Sequence, residues 1–376
     1  MRCLVSGGGT GGHIYPALAV VQALRDARPD LELSYVGGAR GLEGRLVGGG
    51  DVLPYDQLLV RSLRTAARDV HLVLDPIRVG LSVPQAWWLL GRRRPSAIFT
   101  TGGYLALPLT LAARARGIPT LVWEGNVIPG RSTRALARLA TRIAVSFPPT
   151  LAAFPGRAFV SGTPIRSFAG IEREPARTSF GVAPEDRLML VFGGSQAVTT
   201  LNTAVFGSLD RLLDRWRLLH VAGEAGMAAA IHARDALPAG LAERYDPRPF
   251  LTDGMTEALA AADLVVGRAG SSTCAEVAAV GMASILVPYP YAGSHQRANA
   301  AWLGDQGAAV VVANDAFSAD RLADEAARLR DDAFREPMAR AARRLGRPDA
   351  ARAIAEELLA LAERRPLPSL TDEAAA

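Results

Sequence analysis

A cluster of glycines near the start of the chain has residue types and spacing suited to binding an anion. The segment GGGTGGHIYP, Gly7–Pro16, follows a short apolar run and precedes an amphipathic stretch. Glycines let backbone N–H groups approach a phosphate, and the amino terminus of the following helix adds its dipole. The segment predicts a diphosphate-binding turn, with a plain strand-to-helix turn as the alternative. The helix dipole favours a neutral His13, which is then available as a base.

The spacing of these glycines differs from that of dinucleotide-binding turns. They crowd around Thr10 instead of following G-x-G-x-x-G, and no acidic residue ends the next predicted strand, Leu31–Val36. In NAD sites a carboxylate at that place binds the ribose. A nicotinamide oxidoreductase is therefore disfavoured, and it is kept as a rival interpretation.

Two further motifs follow predicted strands of the same half. They are TTGGYLALP, Thr100–Pro108, and VWEGNVIPG, Val122–Gly130. Ligands of open α/β sheets bind at this carboxyl edge. Glu124 suits a general base or a partner for an acceptor hydroxyl, and Asn126 can donate to a sugar or a phosphate. The alternative is that Glu124 caps a turn and Asn126 accommodates a left-handed backbone. The coincidence of two glycine turns on one edge favours the functional interpretation.

Glycine turns recur in the second half of the chain. GGSQ, Gly193–Gln196, offers backbone donors and a hydroxyl to a phosphate. GRAGSSTCAE, Gly267–Glu276, places a turn ahead of a helix, and the Glu276 carboxylate can accept hydrogen bonds from both ribose hydroxyls. The next motif, VPYPYAGSHQRANA, adds three polar side chains suited to binding a sugar: His295, Gln296 and Asn299. A helix-cap or packing role is the alternative for Asn299.

The elements that position these motifs alternate between short β-rich runs and amphipathic helices, which predicts parallel, doubly wound sheets. The predicted strands of the first half are residues 1–6, Leu31–Val36, Ala97–Thr100, Thr120–Trp123 and Arg142–Val145. Those of the second half are Leu188–Phe192, Leu218–Val221, Arg248–Phe250, Leu264–Val266, Ser284–Val287 and Ala308–Val312. We expect two Rossmann-like domains, 1–165 and 166–345, with helix 350–364 packed back on the first and a disordered tail at 366–376.

Composition narrows the class of protein. A chain of 376 residues suits two domains. The net charge is +5, but all 42 basic residues are Arg, which indicates compositional bias, and no nucleic-acid-binding motif accompanies it. Cys3 and Cys274 have no metal-binding or disulfide spacing, and no Asp-x-Asp is present, so no metal is expected. Without a secretory signal or an apolar run of about 20 residues, a cytoplasmic and non-integral protein is expected.

Together the motifs resemble the MurG family of bacterial glycosyltransferases. GGGTGGHIYP, GGY with Pro108, WEGN with PG, GTPIR, GGSQ with LN, and RAGSSTCAE with PYPYAGSHQRANA follow the family's order over nearly the whole chain. The resemblance implies the α/β GT-B fold, two Rossmann-like doubly wound domains facing across a cleft. It also implies inverting transfer of N-acetylglucosamine from UDP-GlcNAc to the C4 hydroxyl of N-acetylmuramic acid in lipid I, an undecaprenyl-diphosphate-linked acceptor. The product is lipid II for peptidoglycan synthesis.

The same resemblance assigns site residues by motif position. His13 is the first candidate for the base, and Glu124 the second. No cofactor and no metal is implied, so the leaving diphosphate is expected to be stabilised by backbone amides, a helix dipole and Arg166. The residues expected to bind the donor, with Glu276 on the ribose and Gln296 on the sugar, are Thr10, Gly11, Gly12, Asn126, Arg166, Ser195, Leu251, Ser271, Ser272, Thr273, Glu276 and Gln296.

Three motifs depart from the family pattern. The family has HEQN where this chain has WEGN, GNP where it has GTP, and GGSQGA where it has GGSQAV. The first departure removes two polar side chains near the expected acceptor site. A GT-B transferase with a different lipid or small-molecule acceptor is therefore an alternative, and a non-catalytic partner of cell-wall enzymes is another. The donor residues that the resemblance assigns are all retained.

A lipid-linked acceptor implies a surface that meets the membrane. The segment Asp75–Pro95 mixes apolar residues with Arg78 and Arg92–Arg94, a composition that suits anionic lipid. The predicted membrane contacts are Ile77, Val79 and Leu81, and an ordinary core helix with a basic end is the alternative. The expected location is the cytoplasmic face of the plasma membrane, as a peripheral protein. Cell-wall and division proteins are the expected protein partners.

Overall fold

The computed structural model describes residues 1–9, 11–38, 44, 47, 53–59, 71–103, 105–193, 199–251, 254–290 and 295–367, with backbone alone for 71–79. The chain divides into two compact units, Met1–Arg166 with Pro348–Ala376, and Ser167–Arg347. The expected tail 366–376 lies outside the described residues from 368 onward. Among the described helices, none is long and apolar enough to cross a bilayer.

The first unit is built on a seven-stranded parallel sheet of order β3-β2-β1-β4-β5-β6-β7. Its strands are β1 Arg2–Ser6, β2 Glu32–Gly38, β3 Tyr55–Leu58, β4 Ala97–Thr100, β5 Thr120–Glu124, β6 Arg142–Val145 and β7 Ala158–Val160. The helices formed by its described residues are α1 Gly11–Ala27, α2 His71–Arg93, α3 Ala106–Ala115 and α4 Arg131–Leu136, with a 3₁₀ turn at Pro148–Ala153. Nearly every residue of the central strands is buried, as expected when helices cover both faces of a parallel sheet.

The last helix of the chain, which we call α15 (Ala350–Glu363), completes the first unit. Its apolar side packs against α1 and β4, where Ile354 and Leu358 join Val20 and Leu24 in one buried cluster. Glu357 of this helix forms a buried ion pair with Arg142 of β6. The helix therefore supplies part of the first unit's core from the far end of the chain.

The second unit repeats the plan with a six-stranded parallel sheet of order β10-β9-β8-β11-β12-β13. Its strands are β8 Leu188–Phe192, β9 Arg217–Val221, β10 Tyr245–Arg248, β11 Leu264–Gly267, β12 Ala283–Leu286 and β13 Val310–Val311. Its helices are α5 Arg173–Ser179, α6 Thr199–Phe206, α7 Leu209–Leu213, α8 Met227–Asp235, α9 Ala239–Ala242, α10 Met255–Ala261, α11 Ser271–Val280, α12 His295–Asp305, α13 Ala319–Arg330 and α14 Asp332–Leu345, with a 3₁₀ turn at Glu224–Gly226.

Some predicted element bounds were wrong. The strand expected at Arg248–Phe250 lies at Tyr245–Arg248, and Phe250 is exposed instead of buried in the sheet. Two edge strands, β3 and β7, were not predicted because they are short and carry no clear alternation. In both units, however, the first strand neighbours the fourth, so the carboxyl ends of β1 and β4, and those of β8 and β11, lie side by side. Ligands of such sheets bind at this reversal of strand order.

The Arg142–Glu357 pair provides a test of how α15 is held. We expect Glu357→Ala to lower the free energy of unfolding by about 3 kcal/mol, because a buried guanidinium loses its carboxylate. The double variant Arg142→Met/Glu357→Leu should recover most of that loss, since an apolar pair has no charge to desolvate. Urea unfolding measures both. A loss for the single variant below about 1 kcal/mol, typical of surface pairs, would contradict the interpretation.

Candidate functional site

Two glycine turns meet at the carboxyl edge of the first sheet. The turn after β1 contains Gly7, and the turn after β4 begins at Thr101, whose N–H donates to the Ser6 carbonyl at 3.0 Å. A Cβ added to Gly7 would lie 2.6 Å from Thr101 Oγ1 and 2.7 Å from the His13 carbonyl oxygen. Tyr35 of β2 donates its hydroxyl to the Gly7 carbonyl at 2.6 Å. Only glycine fits at this position, and the close approach places the start of α1 against the second turn.

His13 is the third residue of α1 and is oriented by the second turn. Its Nδ1 lies 2.8 Å from the Thr101 carbonyl oxygen, and Thr101 Oγ1 donates to the His13 carbonyl at 3.0 Å. Because a carbonyl only accepts, Nδ1 carries the hydrogen in the neutral ring and Nε2 keeps a lone pair. Burial lowers the pKa of His13, against the opposing effects of the Thr101 carbonyl and the Glu124 carboxylate. The neutral form was predicted from the helix dipole, but burial is its main cause.

Glu124, the last residue of β5, is buried and organises the loop that follows it. Its Oε1 accepts hydrogen bonds from the backbone N–H and the side-chain amide of Asn126, each at 3.0 Å. Its Oε2 accepts from the N–H of Gly130, the N-cap of α4, at 3.0 Å. Three donors thus occupy the carboxylate. These contacts favour the loop-capping interpretation of Glu124 over a role as a proton acceptor.

The two sequence departures in the first unit belong to one buried network. Trp123 is buried, and its indole Nε1 lies 3.1 Å from Ser146 Oγ and 3.3 Å from the Gly162 carbonyl oxygen. Thr163 Oγ1 donates to the same Ser146 oxygen at 2.8 Å. WEGN and GTP are therefore linked through Ser146, and Trp123 holds the segment that leads to Arg166. The buried Trp123 side chain thus belongs to the interior of the first unit.

In the second unit, α11 begins directly after β11 and a tight turn. Its N-cap is Gly270 in an extended conformation, so the first-turn N–H groups of Ser271, Ser272 and Thr273 have no side-chain cap, and no acidic residue lies in that turn. Such a helix start attracts an anion. Glu276 follows in the second turn, half-buried.

The turn before α11 is fixed from beneath by two buried polar side chains. Arg268 donates to the Val287 carbonyl at 3.1 Å and to Asn314 Oδ1 at 2.7 Å. Asn299 donates its amide to the Ala269 carbonyl at 3.3 Å, in agreement with the packing role left open for it. Arg268 lies within GRAGSSTCAE, but in a chain whose basic residues are all Arg the sequence alone gives no reason to prefer one arginine over the others.

Gln296 of α12 has an oriented amide. Its Oε1 accepts the N–H of Tyr289 at 2.9 Å, which leaves Nε2 as the end that can donate to a ligand. Leu251 is half-buried and ends one described segment of the chain. Thr10 and Ser195 lie outside the described residues, as do the side chains of Ile77 and Val79.

Helix α2 presents an apolar stripe on its outer side. Leu81 and Trp88 are about 60% exposed, with the exposed Pro84 between them at helical spacing, while Ala86 and Leu90 are buried in the core. Arg92 lies over the Trp88 ring, 4.8 Å from its centroid. The helix is thus both a core helix and an exposed amphipathic one.

A buried network supports α6, the helix that follows residues 194–198. His220 of β9 has Nε2 3.0 Å from Asn202 Oδ1 and Nδ1 2.9 Å from the Tyr245 hydroxyl oxygen. Asn202 donates its amide to the Ala222 carbonyl at 2.9 Å, so its Oδ1 accepts from His220 and Tyr245 must donate. Burial lowers the pKa of His220 to about 4.

These features define the class of protein. Two Rossmann-like units with glycine turns at their strand reversals form the GT-B fold. Family models for the glycosyltransferase family 28 N-terminal domain and C-terminal domain match residues 3–145 and 188–354. The chain belongs to glycosyltransferase family 28.

Full-length relatives make the comparison more specific. Each is named UDP-N-acetylglucosamine–N-acetylmuramyl-(pentapeptide) pyrophosphoryl-undecaprenol N-acetylglucosamine transferase. The protein of Moorella thermoacetica is 38% identical over 96% of this chain and 100% of its own length. That of Sorangium cellulosum is 41% identical over 96% of this chain and 88% of its own.

Solved structures agree. MurG of Acinetobacter baumannii superposes with a TM-score of 0.76 at 29% identity, covering 95% of this chain and 99% of that one. CalG4, the calicheamicin glycosyltransferase, has a TM-score of 0.67 at 16% identity and indicates the shared fold alone.

The His220 network predicts a pH dependence of stability. Between the usual histidine pKa of about 6.5 and the folded value of about 4, the unfolded chain binds more protons. Stability should therefore be complete above about pH 6.5 and fall by up to about 3 kcal/mol as the pH approaches 4. Urea unfolding from pH 7 to 4.5 should give a flatter profile for His220→Gln, and His232→Gln, at an exposed histidine, serves as the control. Equal slopes for wild type and His220→Gln would refute this role.

Proposed function

We propose that this protein transfers N-acetylglucosamine from UDP-GlcNAc to the C4 hydroxyl of N-acetylmuramic acid in an undecaprenyl-diphosphate-linked acceptor, forming a β-1,4 bond with inversion. The observation that carries the proposal is full-length identity of 38% and 41% to relatives that bear the name of this transferase. The oriented, neutral His13 at the strand reversal supports it with a group suited to the chemistry.

His13 acts as the base in this proposal. Its Nε2 takes the proton of the acceptor C4 hydroxyl, the oxygen bonds to the anomeric carbon, and the bond from that carbon to the diphosphate breaks. UDP leaves with the electron pair. The ring that results is positive, and the Thr101 carbonyl and the Glu124 carboxylate stabilise that charge, since both raise the pKa of His13. Glu124 then assists electrostatically while its oxygens hold the loop.

The donor contacts divide between the units. In the second unit, the N–H groups in the first turn of α11 bind a phosphate, and the Ser195 hydroxyl donates a further hydrogen bond to a phosphate. Glu276 binds the ribose, Gln296 donates a hydrogen bond to the sugar, and Leu251 packs on the nucleotide. In the first unit, Arg166 and the amides around Thr10, Gly11 and Gly12 offset diphosphate charge, and Asn126 supports the sugar. Backbone donors and an Arg serve the leaving group in this scheme.

A different acceptor was the main alternative, and it depended on WEGN. The Trp123 side chain is buried and supports residues 162–166, so the exchange at position 123 alone does not favour another substrate. We infer that the acceptor is met at the cytoplasmic face of the plasma membrane, where α2 rests its exposed stripe on anionic lipid beside its terminal arginines.

The proposed activity is tested with purified protein, labelled UDP-GlcNAc and a lipid I analogue. Disaccharide and UDP should appear in equal amounts and only when that acceptor is present. UDP release without disaccharide, or transfer to an unrelated acceptor alone, would refute the proposed reaction.

Substitutions of His13 and Glu276 should distinguish residues needed for the chemical step from residues needed for donor binding. His13→Ala should reduce kcat by about 10²–10⁴-fold with little change in the KM for UDP-GlcNAc, as expected for loss of a general base. Glu276→Ala should raise that KM by about tenfold or more, because buried ribose contacts are lost. Steady-state kinetics with both substrates varied measures the two effects. Near-normal turnover of His13→Ala would exclude it as the base, and unchanged donor KM for Glu276→Ala would exclude the ribose contact.

The lipid surface has its own test. Leu81→Asp/Trp88→Asp should weaken binding to phosphatidylglycerol vesicles by about tenfold, because apolar area is lost and negative charge gained. Turnover of a water-soluble acceptor analogue should stay unchanged. Ile231→Asp, at an exposed apolar position of α8, is the matched control. Equal vesicle binding by the double variant and the control in a sedimentation assay would return α2 to a purely structural role.

A further inference from the structure

One aromatic ring lies against two segments that the proposed function assigns to the donor diphosphate. Tyr15 belongs to the first two turns of α1, and the Arg166 guanidinium carbon lies over its ring, 5.1 Å from the centroid. A Cβ added to Gly11 would lie 3.2 and 3.3 Å from the Cε2 and Cδ2 atoms of the same ring. The ring therefore contacts both the glycine turn and the arginine.

Arg166 needs such support because of its place in the chain. It is the last residue of the first unit's main segment and is partly exposed, whereas Ile165 before it is buried. Among the described residues, the ion pairs do not include Arg166. An arginine held in one position loses about 2 kcal/mol of rotamer freedom, and an aromatic face can offset part of this.

The kind of group that holds Arg166 determines whether its positive charge remains available to a ligand. A carboxylate beside Arg166 would both hold it and neutralise it. An aromatic face attracts the guanidinium through the quadrupole of the ring and leaves its net charge and its N–H donors for another anion. The ring also packs on Gly11, so its position is tied to the turn whose amides are assigned to the same diphosphate.

We infer that Tyr15 is a positioning residue that holds the Arg166 guanidinium in register with the glycine turn for binding of the donor diphosphate. The inference rests on the proposed function, because it takes Arg166 as a diphosphate ligand. It depends on the ring and not on the hydroxyl, so Tyr15→Phe is the conservative variant. Tyr15→Leu and Tyr15→Met keep apolar bulk without an aromatic face.

The test compares the binding of UDP with that of uridine, by calorimetry on the full-length protein. Tyr15→Leu should weaken UDP binding about fivefold, the size of a partly desolvated cation–π contact, and leave uridine binding unchanged. Tyr15→Phe should bind both as the wild type does. Arg166→Ala should weaken UDP binding at least as much, and Tyr15→Leu/Arg166→Ala should be no weaker than Arg166→Ala, because the two residues act through one interaction.

Each different result of these binding experiments would refute a specific proposal. If Arg166→Ala weakens UDP binding and Tyr15→Leu does not, the positioning role is wrong and the arginine's donor role stands. Additive losses in the double variant, or equal losses for UDP and uridine, would also refute it. If Arg166→Ala leaves UDP binding unchanged, its donor role fails as well. Tyr15→Met replaces Tyr15→Leu in these comparisons if thermal unfolding shows that Tyr15→Leu does not fold. An inactive wild type that retains the ring-dependent UDP binding would overturn the proposed reaction alone.

Discussion

The space between two backbone turns is the constraint on which the first unit depends. β1 and β4 are neighbours, so the turns that follow them converge, and at Gly7 they leave no room for a side chain. This contact brings the carbonyl of Thr101 to the imidazole of His13, 88 positions earlier in the chain. The tautomer of a potential base is thus determined by the order of the strands. The same strand order in the second sheet places the end of β11, which leads to α11, beside the end of β8.

The buried polar side chains and the partly exposed Arg166 have different kinds of partner. In the interior of each unit, buried polar side chains have hydrogen-bond partners: Glu124 has three N–H donors, Arg268 a carbonyl and a side-chain amide oxygen, and His220 has Asn202 and Tyr245. At the surface, Arg166 is held by an aromatic ring. Engaged groups give a rigid frame, and a cation without a carboxylate retains its attraction for a diphosphate. A rigid interior combined with an arginine that keeps its charge suits a reaction in which negative charge develops on a leaving group.

Local sequence signals were enough to predict the central strands of both sheets and the family. Apolar runs bounded by glycine predicted β1, β4, β8 and β11 to within a residue or two, and ligands of such sheets generally bind at the reversal of strand order. The contacts made by side chains were not predictable in this way. Three such contacts form only when the chain has folded, and no spacing in the sequence relates their partners. They are Trp123 with Ser146, Tyr15 with Arg166, and His220 with Asn202. The function of Glu124 was ambiguous for the same reason, because its donors were unknown.

The return of α15 to the first unit has a consequence for how the protein is made. The second unit is one continuous stretch of chain, Ser167–Arg347, whereas the first is completed only by residues after 347. During synthesis the second unit can therefore close while the first still lacks a helix, and Arg142 remains without its carboxylate until Glu357 leaves the ribosome. The unit that carries His13 therefore completes its core only after α15 has been synthesised, and a nascent chain truncated before α15 has an exposed apolar face along α1.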